Sequence, residues 1–476
     1  MEARYAFRTT PVLEEWQVAP EIFEQVIPRL YSCMQPVVTL CPGQAAAQHA
    51  TTAVCGLWSD IERKHVASMA SRFGPSRLPL HGFMGWDEWD DAPVREALRS
   101  QVKTHVGQGD GVWVCDPAGC PKSGRESVGV ARQWCGRLGT VDHCPVALSL
   151  GYVSRQGHTR GDTRRYLPQA GPQEKARLDQ AGVPTADRAY RTRHQWALER
   201  RETNGAALPP RWIAGDDERG RPSWWRRRLD ALRARDMLAV PAHTARRDVA
   251  VAPPAESGRG RHPTRPGQPV EAWSPSLDDA AWHRLAGRDG SKGPLVLEAV
   301  QRRVVSRTPR RPQGAQETLV VLRSRARDQE QVVQGESALS NTAPETPLGA
   351  CARVATAAHR MAACLQRSKR AAGVADAEGR HGTGWPPPHT LAFLATWCLG
   401  RETQRGKKMD PGDHRTPDAP RHRDALARGL SVWNDVADAE GTSEALATPC
   451  ACALLPLATA SPTRPIELTY TTVLVS

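Results

Sequence analysis

Two aspartates, Asp116 and Asp216, each follow a short apolar run, Gly111-Val-Trp-Val-Cys115 and Arg211-Trp-Ile-Ala-Gly215. Runs of this length and β-rich composition read as buried strands. A carboxylate at the end of a buried strand needs a partner, because an unpaired buried charge is costly. A helix cap or a salt bridge would supply one. Two such ends in one basic chain have a second reading, in which carboxylates from separate elements converge on divalent metal against nucleic acid. In two-metal phosphodiester chemistry the ions sit ~3.5–4 Å apart, one activating the nucleophile and one stabilising the leaving oxygen. Mg²⁺ suits this role because it takes hard oxygen ligands and keeps positions for water and phosphate. Two aspartates are one acid short of the usual set, and the third normally comes from a helix packed behind the sheet.

The charge distribution agrees with a polyanionic partner. The 476 residues carry a formal net charge of +13, and Arg far outnumbers Lys. Arg prefers phosphate forks, although a GC-rich genome also inflates it. Residues 1–110 hold 10 basic and 13 acidic residues, whereas 111–240 hold 23 and 14. The basic excess therefore begins with the first aspartate strand, as expected of a domain that handles DNA. The 12 Cys have no zinc-ligand spacing and read as small buried hydrophobes in a reducing compartment. The N-terminus lacks a signal-peptide pattern and no apolar stretch approaches membrane-spanning length. A soluble cytoplasmic protein, with no membrane partner, is the expectation.

The elements that must position the aspartates can be read from pattern. Residues 1–108 form an N-terminal helical unit. Ile22, Phe23, Val26, Ile27 and Leu30 recur at helical spacing, and Asp90 or Asp91 caps a helix from Val94 to about residue 106. This unit is either a DNA-reading module or an ordinary helical cap on the next domain. Residues 109–242 begin with a meander of strands at 111–115, about 127–134, and 144–152. A helix at 191–201, a strand at 211–215, a helix at 222–234 and a strand at 237–241 follow. Residues 243–345 read as a β-and-loop insertion with strands at 294–305 and 318–325. Residues 346–404 return to helix, at 347–371 and 391–402, and 405–476 is a polar, Pro-rich tail. A three-stranded meander followed by alternating helices and strands predicts an α/β fold, a ribonuclease-H-like mixed sheet with flanking helices.

The local sequences around these elements are recognisable. Asp116-Pro-Ala-Gly-Cys-Pro-Lys-Ser-Gly124 resembles the Asp-Glu-Ser-Gly-Phe-Pro-Lys-Lys-Gly stretch of bacterial insertion-sequence transposases of the DDE superfamily. Ser127 to Gly139, Tyr166-Leu-Pro168, Gly182-Val-Pro184 and Arg193-His-Gln-Trp-Ala-Leu-Glu199 are similar to the same family. So are Gly56 to Lys64, Gly215-Asp-Asp-Glu-Arg-Gly-Arg221, Asn341 to Leu348, and Arg401 to His414. The resemblance spans about residues 20–415. It implies a DDE endonuclease that cleaves and joins DNA with Mg²⁺ or Mn²⁺. It also implies binding of the inverted-repeat ends of an insertion sequence, as a homodimer on DNA, in a nucleoid-associated setting.

The same resemblance locates the third acid. Such enzymes carry it in a helix reading His-Arg-Ile-Glu-Glu-Cys-Leu-Gln-Arg-Ala-Lys, and this chain reads His359-Arg-Met-Ala-Ala-Cys-Leu-Gln-Arg-Ser-Lys369. Cys364, Leu365, Gln366, Arg367 and Lys369 fix the register, so the acid position is Ala362. Helical periodicity puts 362, 366 and 369 on one face, and Met361 and Leu365 on the packing side. Asp116 and Asp216 are thus the catalytic and metal-ligand candidates. Lys122, Gln366, Lys369, Arg302, Arg303, Arg310 and Arg311 are the DNA-contact candidates. Asp217 and Glu218 are possible substitutes for the lost ligand, whereas Asp376 and Glu378 lie too far along to serve. Trp224, Trp225 and Arg226-Arg227-Arg228 read as packing and a solvated face. The function expected is that of a transposase with impaired catalysis, the alternative a non-catalytic DNA-binding descendant or decaying remnant.

Overall fold

In the computed structural model the apolar run at 112–115 becomes part of a strand third from one edge of an 11-stranded sheet. The structure describes residues 26–409, apart from 120–127, 256–266, 307–315, 327–331, 372–385 and a scatter of single or paired positions. Strand β1 (Val112–Gly119) pairs antiparallel with β4 (Val146–Val153), which pairs antiparallel with β5 (His158–Tyr166). On its other side β1 runs parallel to β6 (Trp212–Gly215), and β6 parallel to β7 (Arg235–Ala239). The spatial order β5-β4-β1-β6-β7 is the ribonuclease-H-like arrangement.

The second strand of the meander is β4. The segment read as a strand at about 127–134 instead contributes to a separate hairpin, β2 (Ala131–Cys135) with β3 (Thr140–Cys144), which among the described residues pairs with no other strand. The third strand, β5, has no apolar run to announce it, because its buried positions include Arg160 and Asp162. Burial alone would raise the Asp162 carboxyl, but Arg164, Arg200, Arg95 and Arg99 together hold it below the usual value. Its ion pairs to Arg164 and Arg200 span 3.8 and 3.6 Å. The buried Asp162 charge is thereby matched inside the protein.

Beyond β7 the sheet continues through the segment that interrupts the core. Strands β13 (Val332–Ser340), β12 (Gln316–Ala326) and β11 (Gly293–Ser306) follow in antiparallel order. β8 (Ala245–Asp248) and β9 (Gln268–Pro269) close that edge, and β10 (His283–Gly290) also pairs with β11. The ladder linking the two halves has only two register pairs, Ala338↔Ala239 and Leu339↔Leu238. Side chains reinforce it. The Asn341 N–H donates to Asp236 Oδ1 at 2.8 Å, the Asp236 N–H donates back to Asn341 Oδ1 at 3.0 Å, and Ser340 Oγ donates to the Asp236 carbonyl at 2.6 Å.

Helices cover both faces. One face carries α1 (Val26–Val38), α2 (Gly43–Trp58), α3 (Val66–Phe73), α4 (Arg77–Gly85) and α5 (Ala92–Val106). With them pack α7 (Arg193–Asn204), α9 (Ser223–Ala231) and the C-terminal α13 (Pro386–Met409), around Trp113, Cys115 and Ile213. A smaller helix, α6 (Pro172–Gln180), lies beside the hairpin, where Arg177 donates to the Val130 carbonyl. The α13 helix starts five residues before the expected 391, on three prolines. The first turn tolerates them because its N–H groups have no intrahelical acceptor. It binds the N-terminal helices directly: Trp58 Nε1 donates to the Ala395 carbonyl at 3.1 Å, and Arg29 pairs with Glu402 at 2.8 Å. At α5 the carboxylate of Asp90 takes the Ala92 N–H, while Asp91 turns to Arg95 and Thr390.

The opposite face carries α11 (Leu348–Ala355) and α12 (Ala357–Ala371), read from sequence as one helix. Thr356 separates them, its hydroxyl donating to the Ala352 carbonyl at 3.0 Å, a back-bond that bends helices. Cys351, Val354, Met361, Cys364 and Leu365 pack here against Val112, Val114, Trp212 and Ala214. Contact is close at Gly151, where a Cβ would lie 1.8 Å from Met361 Sδ.

Candidate active site

Strand alternation decides where the two aspartates point. Val112 and Val114 belong to the α11–α12 face, Trp113 and Cys115 to the other. Asp116 continues the first series. Trp212 and Ala214 likewise face α11–α12, and Asp216, extended at φ −68° and ψ −177°, follows them. The β1–β6 register ends at Cys115↔Gly215, so Asp116 and Asp216 are the residues next after the last parallel pair. Neighbouring strands lie about 4.8 Å apart. Both carboxylates also act on the Cys115 thiol beneath them, which burial pushes up and keeps as a neutral thiol.

The two differ in their surroundings. Asp116 is half-buried and lies inside β1, which continues past it to Gly119 on the β4 side, with Asp116 opposite Ser149. Asp216 caps α8 (Asp217–Gly220), its Oδ1 accepting the Arg219 N–H at 3.3 Å. The helix-cap reading of a strand-end aspartate is therefore realised at Asp216. Burial pushes the Asp216 carboxyl up, the nearby Arg219 opposes this, and Glu218 and Asp217 add to it. Arg219, whose side chain is 1 % exposed, stands 3.7 Å from the Asp216 carboxylate. It also closes against Gly215, where a Cβ would meet its Cδ at 2.8 Å.

A cavity of about 540 Å³ opens beside Asp216, between α11–α12 and the sheet extension. Its walls are largely apolar, and its polar lining includes Asp217, Glu336 and His359. Ala355, Ala358 and His359 present the helical wall, and Ala362 continues that stripe one turn further. Ala362 is exposed, whereas Met361 and Leu365 are buried, as periodicity requires. The helix is therefore formed and docked, and position 362, read from the sequence as that of the third acid, bears a methyl group.

The acids close enough in sequence or space to replace it are engaged. Asp217 pairs with Arg221, Glu218 pairs with Arg193 at 2.7 Å, and Glu336 binds His359 Nε2 at 2.5 Å. Asp116 and Asp216 supply the hard oxygen donors that Mg²⁺ and Mn²⁺ take. Among the described residues, however, no three His, Cys, Asp or Glu side chains come together to hold an ion. The described residues thus do not by themselves assemble a three-carboxylate, two-metal centre.

Of the DNA-contact candidates, Arg303 is committed within the protein, donating to Thr318 Oγ1 and the Thr342 carbonyl at 3.0 and 2.9 Å. Arg302 is half-buried and donates to the Gln301 carbonyl. Gln366 and Lys369 lie in α12, but their side chains fall outside the described set, as do Lys122, Arg310 and Arg311. The tryptophan pair divides: Trp225 is 1 % exposed and Trp224 48 %. Arg226 is buried on Glu317 at 2.6 Å, whereas Arg227 and Arg228 are exposed. Glu336, His359 and Arg219 had no assigned role in the sequence. His359 was visible inside the helix motif, but its partner lies 23 residues earlier on another element.

A ribonuclease-H-like sheet with Asp116 on β1 and Asp216 just after the adjacent parallel β6 has the form of a nuclease-type core. Residues 29–294 match the family model for DDE superfamily endonuclease, more than half of the chain. The chain belongs to that superfamily, whose members act on DNA and generally use divalent metals such as Mg²⁺. The matched stretch contains both aspartates and ends before α12. A search of curated proteins finds no match. Among the described residues no helix is long and apolar enough to cross a membrane.

Proposed function

We propose that this chain is a transposase-family protein of DNA transposition that still engages DNA but is impaired in strand cleavage and strand transfer. The observation that carries this reading is Ala362: the motif His359 to Lys369 gives it the position of the family's third acid, and it has no donor atom. Loss of one metal ligand typically removes orders of magnitude in rate, because charge developing on phosphate goes unstabilised. The aspartates still mark the lineage, and the basic middle of the chain supports DNA binding. In this reading the DNA is the inverted-repeat end of an insertion sequence, bound by two protomers in a bacterial cell.

The test incubates the protein with labelled duplexes from the DNA flanking its gene, in Mg²⁺ and in Mn²⁺. A salt-dependent mobility shift at low micromolar protein, without nicking, is the expected result. Strong nicking that Asp116→Ala abolishes would reject the impairment. Absence of any DNA binding would reject the transposase reading altogether.

A further inference from the structure

The helix that follows the second aspartate carries a surface that this chemistry leaves unused. In α9 the residues Trp224, Arg227 and Arg228 stand at i, i+3 and i+4, so they share one face. All three are exposed. Arg227 and Arg228 make no ion pair among the described residues, while the acids of the preceding turn are matched, Asp217 by Arg221 and Glu218 by Arg193. The face therefore carries a net positive charge.

Trp224 is also held from behind. Its ring lies 5.2 Å from His194 and 6.0 Å from Trp225, and the His194 and Trp225 rings meet edge-on at 5.0 Å. Trp225 is buried and anchors the group. Burial, with Arg219 close by, pushes His194 down to about 4, so the ring behind Trp224 is neutral at ordinary pH. Arg219 and Glu218 connect this group to Asp216, at the edge where the carboxylates lie. A fixed aromatic ring with one side in solvent and two unpaired guanidinium groups one turn away fits a base with its adjoining phosphates.

We propose that Trp224, with Arg227 and Arg228, forms a stacking platform for an unpaired nucleobase of the DNA strand at the aspartate edge. This rests on the reading that the protein binds DNA. The partner is a frayed or single-stranded segment, because bases inside a duplex offer no free face to a ring. The arginines hold phosphate and the indole holds the base.

The test compares a blunt duplex with the same duplex carrying a short unpaired 3′ or 5′ end, with 2-aminopurine at the unpaired position. Wild-type protein should bind the frayed form more tightly and quench the probe. Trp224→Ala should lose about tenfold in affinity for the frayed form, within the range for one stacked base, and leave blunt duplex binding unchanged. Trp224→Phe should keep most of the quench. Arg227→Ala with Arg228→Ala should weaken both DNAs and flatten the salt dependence. Equal binding and quenching by wild type and Trp224→Ala would overturn the platform alone. So would a loss in Trp224→Ala that is equal on both DNAs. Failure of the wild type to bind either DNA would instead overturn the DNA-binding reading, and the platform with it.

Discussion

Ala362 illustrates what one residue can and cannot reveal. Its place in the motif was legible because the flanking Cys364, Leu365 and Gln366 fix the register, and the structure places it exposed, four residues beyond Ala358 of the cavity wall. Replacing it with Glu should cost no more than about 0.5 kcal/mol of helix propensity, so Ala362→Glu should melt at nearly the wild-type temperature. That comparison, by thermal unfolding, separates a chemical effect from a structural one. Other residues could not be assigned from type alone. Trp224 and Trp225 are adjacent and identical, yet one is buried and one exposed, since consecutive helical positions point 100° apart. Arg303 looked like a phosphate contact because it is basic and near a loop. Its hydrogen bonds to Thr318 and Thr342 make it a strand tie, so Arg303→Ala should weaken folding rather than DNA affinity alone, as a urea melt beside a binding titration would show.

At the scale of elements, strands with apolar alternation were readable and those without it were not. β1, β4, β6 and β7 follow from their composition. β5 was missed because its buried Asp162 is matched not only by Arg164 on the same strand but by arginines from α5 and α7, far away in sequence. The motif Asn341 to Leu348 was visible but mute. The structure gives it a role: Asn341 and Asp236 join the sheet extension to the core. Asn341→Ala should therefore destabilise by about 2–3 kcal/mol, leaving buried polar groups unmatched, as measured by urea unfolding. Burial, the largest cause, pushes the Asp236 carboxyl up from 3.8 to about 8. Its folded form keeps a proton that the unfolded chain releases, so its contribution is full below 3.8 and is lost as pH rises to about 8. Asp236→Asn cannot ionise. Its stability relative to wild type should rise across that interval and level off above it, and a flat difference would contradict the assignment.

For the whole molecule, the general class was available from charge and from the order of elements, but the packing was not. The N-terminal helices share one apolar cluster with α13, which arrives from the other end of the described chain. No local pattern announces a contact such as Trp58 to Ala395, because each partner reads only as apolar helix. Trp397 is buried in that cluster and donates to Gln101 Oε1 at 3.0 Å. Trp397→Ala should cost about 3–5 kcal/mol, and hydrogen exchange should show faster opening of both α2 and the central strands. Faster opening of α13 alone would mean that the helices are only loosely joined.

We propose that Asp116 and Asp216 belong to a DDE core lacking one ligand. The most direct measurement compares nicking of bound DNA by wild type and by Ala362→Glu, in Mn²⁺, at matched occupancy. The expected result is no nicking by wild type and measurable nicking by Ala362→Glu that is lost again when Asp116 is changed to Ala. Strong nicking by the wild-type chain, dependent on Asp116, would contradict it.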